Sequence, residues 1–171
     1  MSEPQVHTLV ATVQDHPGVL TRVASLFRRR GFNIASVAGG HSEEPGYSRM
    51  TIAVEGSADE VSQCEKQLYK LIEVDSVRNL TGTAAIICEL ALIKIRVSAR
   101  SDELDQVTLS HGGEIVDRSE SSMIVQMPGD QKRVDQFLDV ISGHPDAWLI
   151  EEISRTGAIA MARGSTHGRN G

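Results

Sequence analysis

Aromatic residues are scarce in this 171-residue chain: three Phe, two Tyr and one Trp make up 4% of it. Basic residues are outnumbered by acidic ones, 17 against 23, for a formal net charge of −6. A surface so poor in cations and rings neither attracts phosphates nor stacks bases, which argues against a nucleic-acid partner. No apolar run approaches the ~20 residues of a membrane-spanning helix. The opening MSEPQVHT also lacks the basic-then-apolar pattern of a signal peptide, so the expected compartment is the cytoplasm, with no membrane partner. Cysteine is rare too. Cys64 and Cys88 cannot form a disulfide framework, fall at no short metal-ligand spacing, and read as free thiols packed as small hydrophobes.

Enzyme signatures are missing as well. The chain contains no Gly-rich phosphate loop with its lysine, no G-x-S-x-G, no H-E-x-x-H and no paired C-x-x-C. His7, His16, His41, His111, His144 and His167 are scattered without the i, i+4 spacing that sets two metal ligands on one helix face, so they are expected to be solvated or locally bonded, with no metal. Glu43-Glu44 and Glu151-Glu152 are sequence neighbours, which on a strand point to opposite faces and do not converge on a substrate.

Hydrophobic patterning is what the chain does have. In VHTLVATV, residues 6–13, Leu9, Ala11 and Val13 alternate with Thr8, Val10 and Thr12, predicting a first strand. Gln14-Asp15-His16-Pro17-Gly18 then breaks the alternation. Asp15 or His16 is available as a helix cap and Pro17 suits the first helical position. Val19, Leu20, Val23, Leu26 and Phe27 make one apolar stripe, and Gly31 stops the helix after Arg28-Arg29-Arg30, three cations suited to a helix C-terminus.

Strands are predicted over 32–40 and 47–56, a helix from about Ala58 to Ile72, and a short strand over 74–80. That order, strand, helix, strand, strand, helix, strand, is the ferredoxin-like βαββαβ arrangement. After Thr81-Gly82-Thr83 it starts again: strand 88–98, helix 101–109, strands 113–118 and 122–127, helix 130–142, strand 147–153 and an edge strand over 157–162. The expectation is an α+β protein with two such domains in tandem, residues 1–81 and 82–164, and a disordered tail at 165–171. Domains of about 80 residues bury only roughly 60–65% of their unfolded surface. The Thr and Val content of the first strand suggests that its second face is partly covered, and a homodimer is expected.

The junction of strand 1 with helix 1 is the candidate site. Asp15, His16, Pro17, Gly18, Val19 and Leu20 combine open helix-start amides, a glycine that permits close backbone approach, and apolar side chains. Free N–H groups at a helix start bind carboxylates. With Asn33 and Ile34 facing it from the same or a neighbouring subunit, such a site suits a small aliphatic amino acid. The same residues are also an ordinary way to begin a helix.

The stretch DHPGVLTRVASLFRRRGFNIASVAGG, residues 15–40, followed by YSRMTIAVEG, ELALIKIRV and SRTGAIAMARG, resembles the small regulatory subunit of acetolactate synthase over about residues 5–164. The resemblance implies an N-terminal ACT domain, a module that binds amino acids at subunit interfaces, and the family's own C-terminal domain. It implies a chain without catalytic activity that activates a catalytic (large) subunit and confers feedback inhibition, usually by valine, in branched-chain amino acid synthesis. Thiamine diphosphate, magnesium and FAD are then expected only in that catalytic partner, and none in this chain. It further implies an effector between two ACT domains of a dimer, held by backbone groups around Gly18, Val19 and Leu20 and by Asn33 of the neighbouring subunit, with Leu20 and Ile34 lining its side-chain pocket. Leucine and isoleucine are the related candidates.

The family commonly has Asn where this chain has Asp15. A carboxylate there either repels the effector carboxylate, by on the order of 1 kcal/mol, or pairs with its ammonium, or caps the helix. Two rival readings are a free-standing ACT sensor that controls another protein, and a small enzyme in which folding unites His111, Asp117 and Arg118.

Overall fold

The structure, a computed structural model, describes residues 5–98 and 101–164. The predicted tail lies outside the described residues. The described residues cluster into two compact units, residues 5–86 with 159–164, and residues 87–158.

In the first unit β1 (Gln5–Gln14), β2 (Asn33–His41), β3 (Tyr47–Gly56) and β4 (Val74–Asn79) form an antiparallel sheet in the order β2-β3-β1-β4, with α1 (Val19–Arg30) and α2 (Ala58–Leu68) as its helices. The alternation of β1 has its expected consequence. Leu9, Ala11 and Val13 join Ile52, Val54, Val23, Phe27, Val61 and Leu68 in one core between sheet and helices. Gly31 ends α1 in the left-handed region at φ 71°, its N–H donating to the carbonyls of Arg28 and Phe27. Ser57 caps α2: its hydroxyl accepts from the Glu60 N–H while the Glu60 carboxylate accepts from the Ser57 N–H, and that bond, followed by one donated by the Ser57 hydroxyl, holds the Glu60 carboxyl below its usual range. The helix stops four residues before the predicted Ile72. Tight bonds from Lys70 N–H to the Gln67 carbonyl and from Leu71 N–H to that of Leu68 close it, leaving Ile72 89% exposed.

The second unit repeats the plan with β5 (Ala85–Val97), α3 (Ser101–Ser110), β6 (Glu114–Arg118), β7 (Ser122–Gly129), α4 (Gln131–Ser142) and β8 (Trp148–Arg155), sheet order β6-β7-β5-β8. Ile93, Ile95, Leu104, Met127, Phe137 and Ile141 are fully buried in its core. Arg155 of β8 bridges the buried Glu89 and, at 2.8 Å, Asp135 of α4; the Glu89 carboxylate, followed by Asp135, raises the guanidinium's already high pKa.

The two units divide the chain differently from a cut at Gly82. The start of β5 and the last strand, β9 (Ile159–Ala162), cluster with the first unit. Ala160 N–H donates to Thr51 Oγ1 at 3.3 Å, Arg49 reaches the Ala160 carbonyl, and Val10, Leu80 and Ala160 form a small buried cluster on the sheet face away from the helices. The partly covered second face expected from Thr8 and Val10 is thus covered by the chain's own C-terminal strand. His7, expected to be solvated or locally bonded, is only 6% exposed and so is not solvated.

Candidate functional site

Helix α1 begins two residues later than the sequence suggested. Gly18 is the N-cap, at φ 93° in the left-handed region, so neither Asp15 nor His16 caps the helix and Pro17 precedes it. The backbone must turn sharply off β1 to lay α1 on the sheet, and only glycine adopts that φ without strain. No side chain caps the first turn, and no acidic residue lies in it. The N-terminal partial positive charge of α1 is therefore not offset by its own side chains.

The six predicted site residues separate into two groups. Asp15, Gly18, Val19 and Leu20 lie together where β1 passes into α1. Val19 is 5% exposed, its side chain committed to the core, so only its backbone is available; Leu20 is 59% exposed beside the turn. Asn33 and Ile34 open β2 at the opposite end of the sheet. Asn33 pairs with Glu55 and Glu55 with Val6, whereas Gln14 pairs with Tyr47. Eight residue steps of β1 at about 3.4 Å separate these ends by roughly 27 Å. Ile34 is half-buried against the core of its own unit. One protomer therefore does not bring Asn33 to Gly18.

Folding adds four neighbours that the sequence reading did not include. Arg22 lies one helical turn beyond Gly18, its Nε 2.6 Å from Oε1 of Glu73, which is 8% exposed. The i, i+4 spacing from Gly18 could have pointed to Arg22. The Glu73 carbonyl also accepts from Gln14 N–H at 2.8 Å, fastening the end of β1. His41, the last residue of β2, places Nδ1 2.9 Å from Oδ2 of Asp15. At the other end Asn33 Nδ2 donates to Glu55 Oε2 at 2.5 Å. No local sequence signal marks His41 or Glu55.

The catalytic constellation considered for the second half is not assembled. Arg118 pairs with Asp105 at 2.5 Å, and His111 Nδ1 bonds the Val107 carbonyl at 2.8 Å with its ring against Phe137. Asp117 sits opposite Ile124 on the sheet. Among the described residues no group of three or more His, Cys, Asp or Glu could hold a metal ion, and no helix is long and apolar enough to cross a membrane.

Two ferredoxin-like modules in tandem, the first with an uncapped glycine turn leading into α1, define the class: a two-module protein whose first module is an ACT domain. Residues 9–76 match the family model described as an AHAS small subunit-like ACT domain, and residues 88–164 match that of the small subunit of acetolactate synthase. The probable acetolactate synthase small subunit of Methanothermobacter thermautotrophicus is 42% identical over 165 residues, covering 95% of this chain and 96% of that one. The small subunit of Mycobacterium bovis is 39% identical, covering 94% of each. The crystal structure of the acetolactate synthase small subunit from Thermotoga maritima superposes with a TM-score of 0.85 at 38% identity, covering 94% of this chain and 98% of that one. This chain belongs to the acetolactate synthase small-subunit family.

Proposed function

We propose that the chain is a non-catalytic regulatory subunit that activates a thiamine-diphosphate-dependent acetolactate synthase catalytic subunit and makes it sensitive to valine. The observation that carries the site assignment is the separation of Gly18 from Asn33 within one protomer. β2 is an edge strand of the first sheet, and an edge strand is a template for pairing with another copy. Two copies of β2 paired antiparallel about Val37, the middle residue of Asn33–His41, set Asn33 opposite His41 of the partner subunit. His41 is itself bonded to Asp15 at the α1 turn. A two-fold dimer so formed unites both halves of the site twice.

In that site the α1 amides receive the effector carboxylate, the Asn33 side chain receives its ammonium, and exposed Leu20 contacts an aliphatic side chain. Asp15 stands beside that carboxylate, and its bond to His41 offsets the repulsion. Effector binding biases the catalytic partner only through different affinities in two states of the complex, and the partner changes effector affinity reciprocally.

The test is a titration of the catalytic subunit with this chain, following acetolactate formation from pyruvate with and without valine, leucine or isoleucine. Activation and loss of activity on adding valine are expected. Unchanged turnover at every ratio removes the activating role, and saturable valine binding without association favours a sensor of another protein.

A further inference from the structure

The hydrogen bond between Asn33 and Glu55 carries a consequence for what the effector must be. Asn33 has an amide whose two ends are chemically opposite, an oxygen that only accepts and an NH2 that only donates. Glu55, directly across the ladder on β3, accepts from Nδ2 at 2.5 Å. An ionised carboxylate cannot donate, so turning the amide over would set two acceptors against each other. Glu55 forms no ion pair among the described residues. Its charge is directed at the orientation of a neutral neighbour.

We propose that Glu55 is a positioning residue that fixes Asn33 with its oxygen outward, making an α-ammonium group a requirement of the effector and excluding 2-oxo acids with the same side chain. The inference rests on the site assignment above and adds its selectivity. A 2-oxo acid offers only acceptors where Asn33 Oδ1 needs a donor. A 2-hydroxy acid keeps one weaker donor and falls between. Such discrimination lets a regulatory site respond to the finished amino acid while ignoring its 2-oxo counterpart, which differs only in that group.

The experiment is calorimetric titration of the full chain, alone and with the catalytic subunit, with valine and with the 2-hydroxy and 2-oxo acids of the same carbon skeleton. The native chain is expected to bind valine at least ~100-fold more tightly than the 2-oxo acid, in keeping with the cost of unpaired polar groups in a binding site. In Glu55→Gln the residue at 55 can donate or accept, Asn33 is free to turn, and the ratio is expected to narrow about tenfold or more. The double variant Asn33→Asp with Glu55→Gln restores an outward acceptor, held now by the Gln amide, and is expected to recover the preference for valine. A purely structural role for Glu55 predicts no such recovery.

Failure of the native chain to bind any branched-chain amino acid, alone or in the complex, overturns the site assignment and this inference with it. Tight valine binding with a valine to 2-oxo acid ratio unchanged in Glu55→Gln overturns the inference alone, as does a double variant that binds valine without recovering the preference.

Discussion

Asp15 and His41, 26 positions apart in the chain, meet with Oδ2 of one 2.9 Å from Nδ1 of the other, tying the end of β2 to the turn that starts α1. The contact spans two elements of the proposed site. It also gives the negative charge of Asp15 a partner beside the helix N-terminus where an effector carboxylate would sit.

His41→Ala leaves the Asp15 carboxylate without that partner and is expected to weaken valine binding about two- to fivefold, on the order of one hydrogen bond. Asp15→Asn removes the charge itself and is expected to leave binding equal or tighter. Once Asp15 is Asn, His41→Ala should cost nothing further. Calorimetry on this double-mutant cycle checks the coupling, and strictly additive effects would show that the pair is irrelevant to the effector.

Gly18→Ala places an L side chain at φ 93°, expected to lower stability by about 1–2 kcal/mol. Space is not the obstacle, because the nearest atom to an added Cβ is Arg22 Nη1 at 3.5 Å, ordinary contact. Gly18→Asp shares the backbone strain and adds a carboxylate that can cap the first-turn amides, competing with the effector. It is expected to abolish valine inhibition while activation persists. Thermal unfolding and inhibition curves on both variants separate strain from competition. A fully valine-sensitive Gly18→Asp complex would place the site elsewhere.

Thr51 is 3% exposed and accepts the Ala160 N–H, so Thr51→Val strips β9 of a buried acceptor. A stability loss of about 1–2 kcal/mol is expected, together with faster hydrogen exchange at the Ala160 amide. Unchanged exchange at that amide would mean that this bond does not hold β9 on the sheet.

Cys64 is fully buried in the first core, and burial, followed by the nearby Glu65 charge, pushes its thiol up to about 12. Near pH 8 a thiol reagent should modify the half-buried Cys88 in the native chain and reach Cys64 only after unfolding. The sign of the linked stability follows. In the unfolded chain a cysteine ionises near ~8.5, so below that pH the raised folded value has no effect. Between there and about 12 the unfolded state releases the proton first and stability falls as pH rises. Two thiols reacting at equal rates in the native protein would contradict this burial.

Much of the fold was legible because it is written in short-range periodicity. The alternation of Leu9, Ala11 and Val13, the stripe of Val19, Val23, Leu26 and Phe27, and the stop at Gly31 each depend on a few adjacent residues and appear as expected, whereas Leu20, predicted in the same stripe, faces outward at 59% exposure. The exact start of α1 was not legible. Asp15, His16 and Gly18 are all acceptable caps by type, and the choice of Gly18 depends on the φ needed to turn off β1.

The amino-acid sequence by itself determined the two βαββαβ units, their apolar faces and the family, since these follow from local pattern and from motifs that run through both halves. Only the tertiary structure decided that Gly18 and Asn33 stand at opposite ends of one sheet, that Asp15 meets His41 and Asn33 meets Glu55, and that β9 returns to the first unit. Strand register is the reason. It is set cooperatively by whole faces seeking burial, and a shift of one residue would reverse which side chains meet, so no single neighbourhood of the chain encodes those contacts.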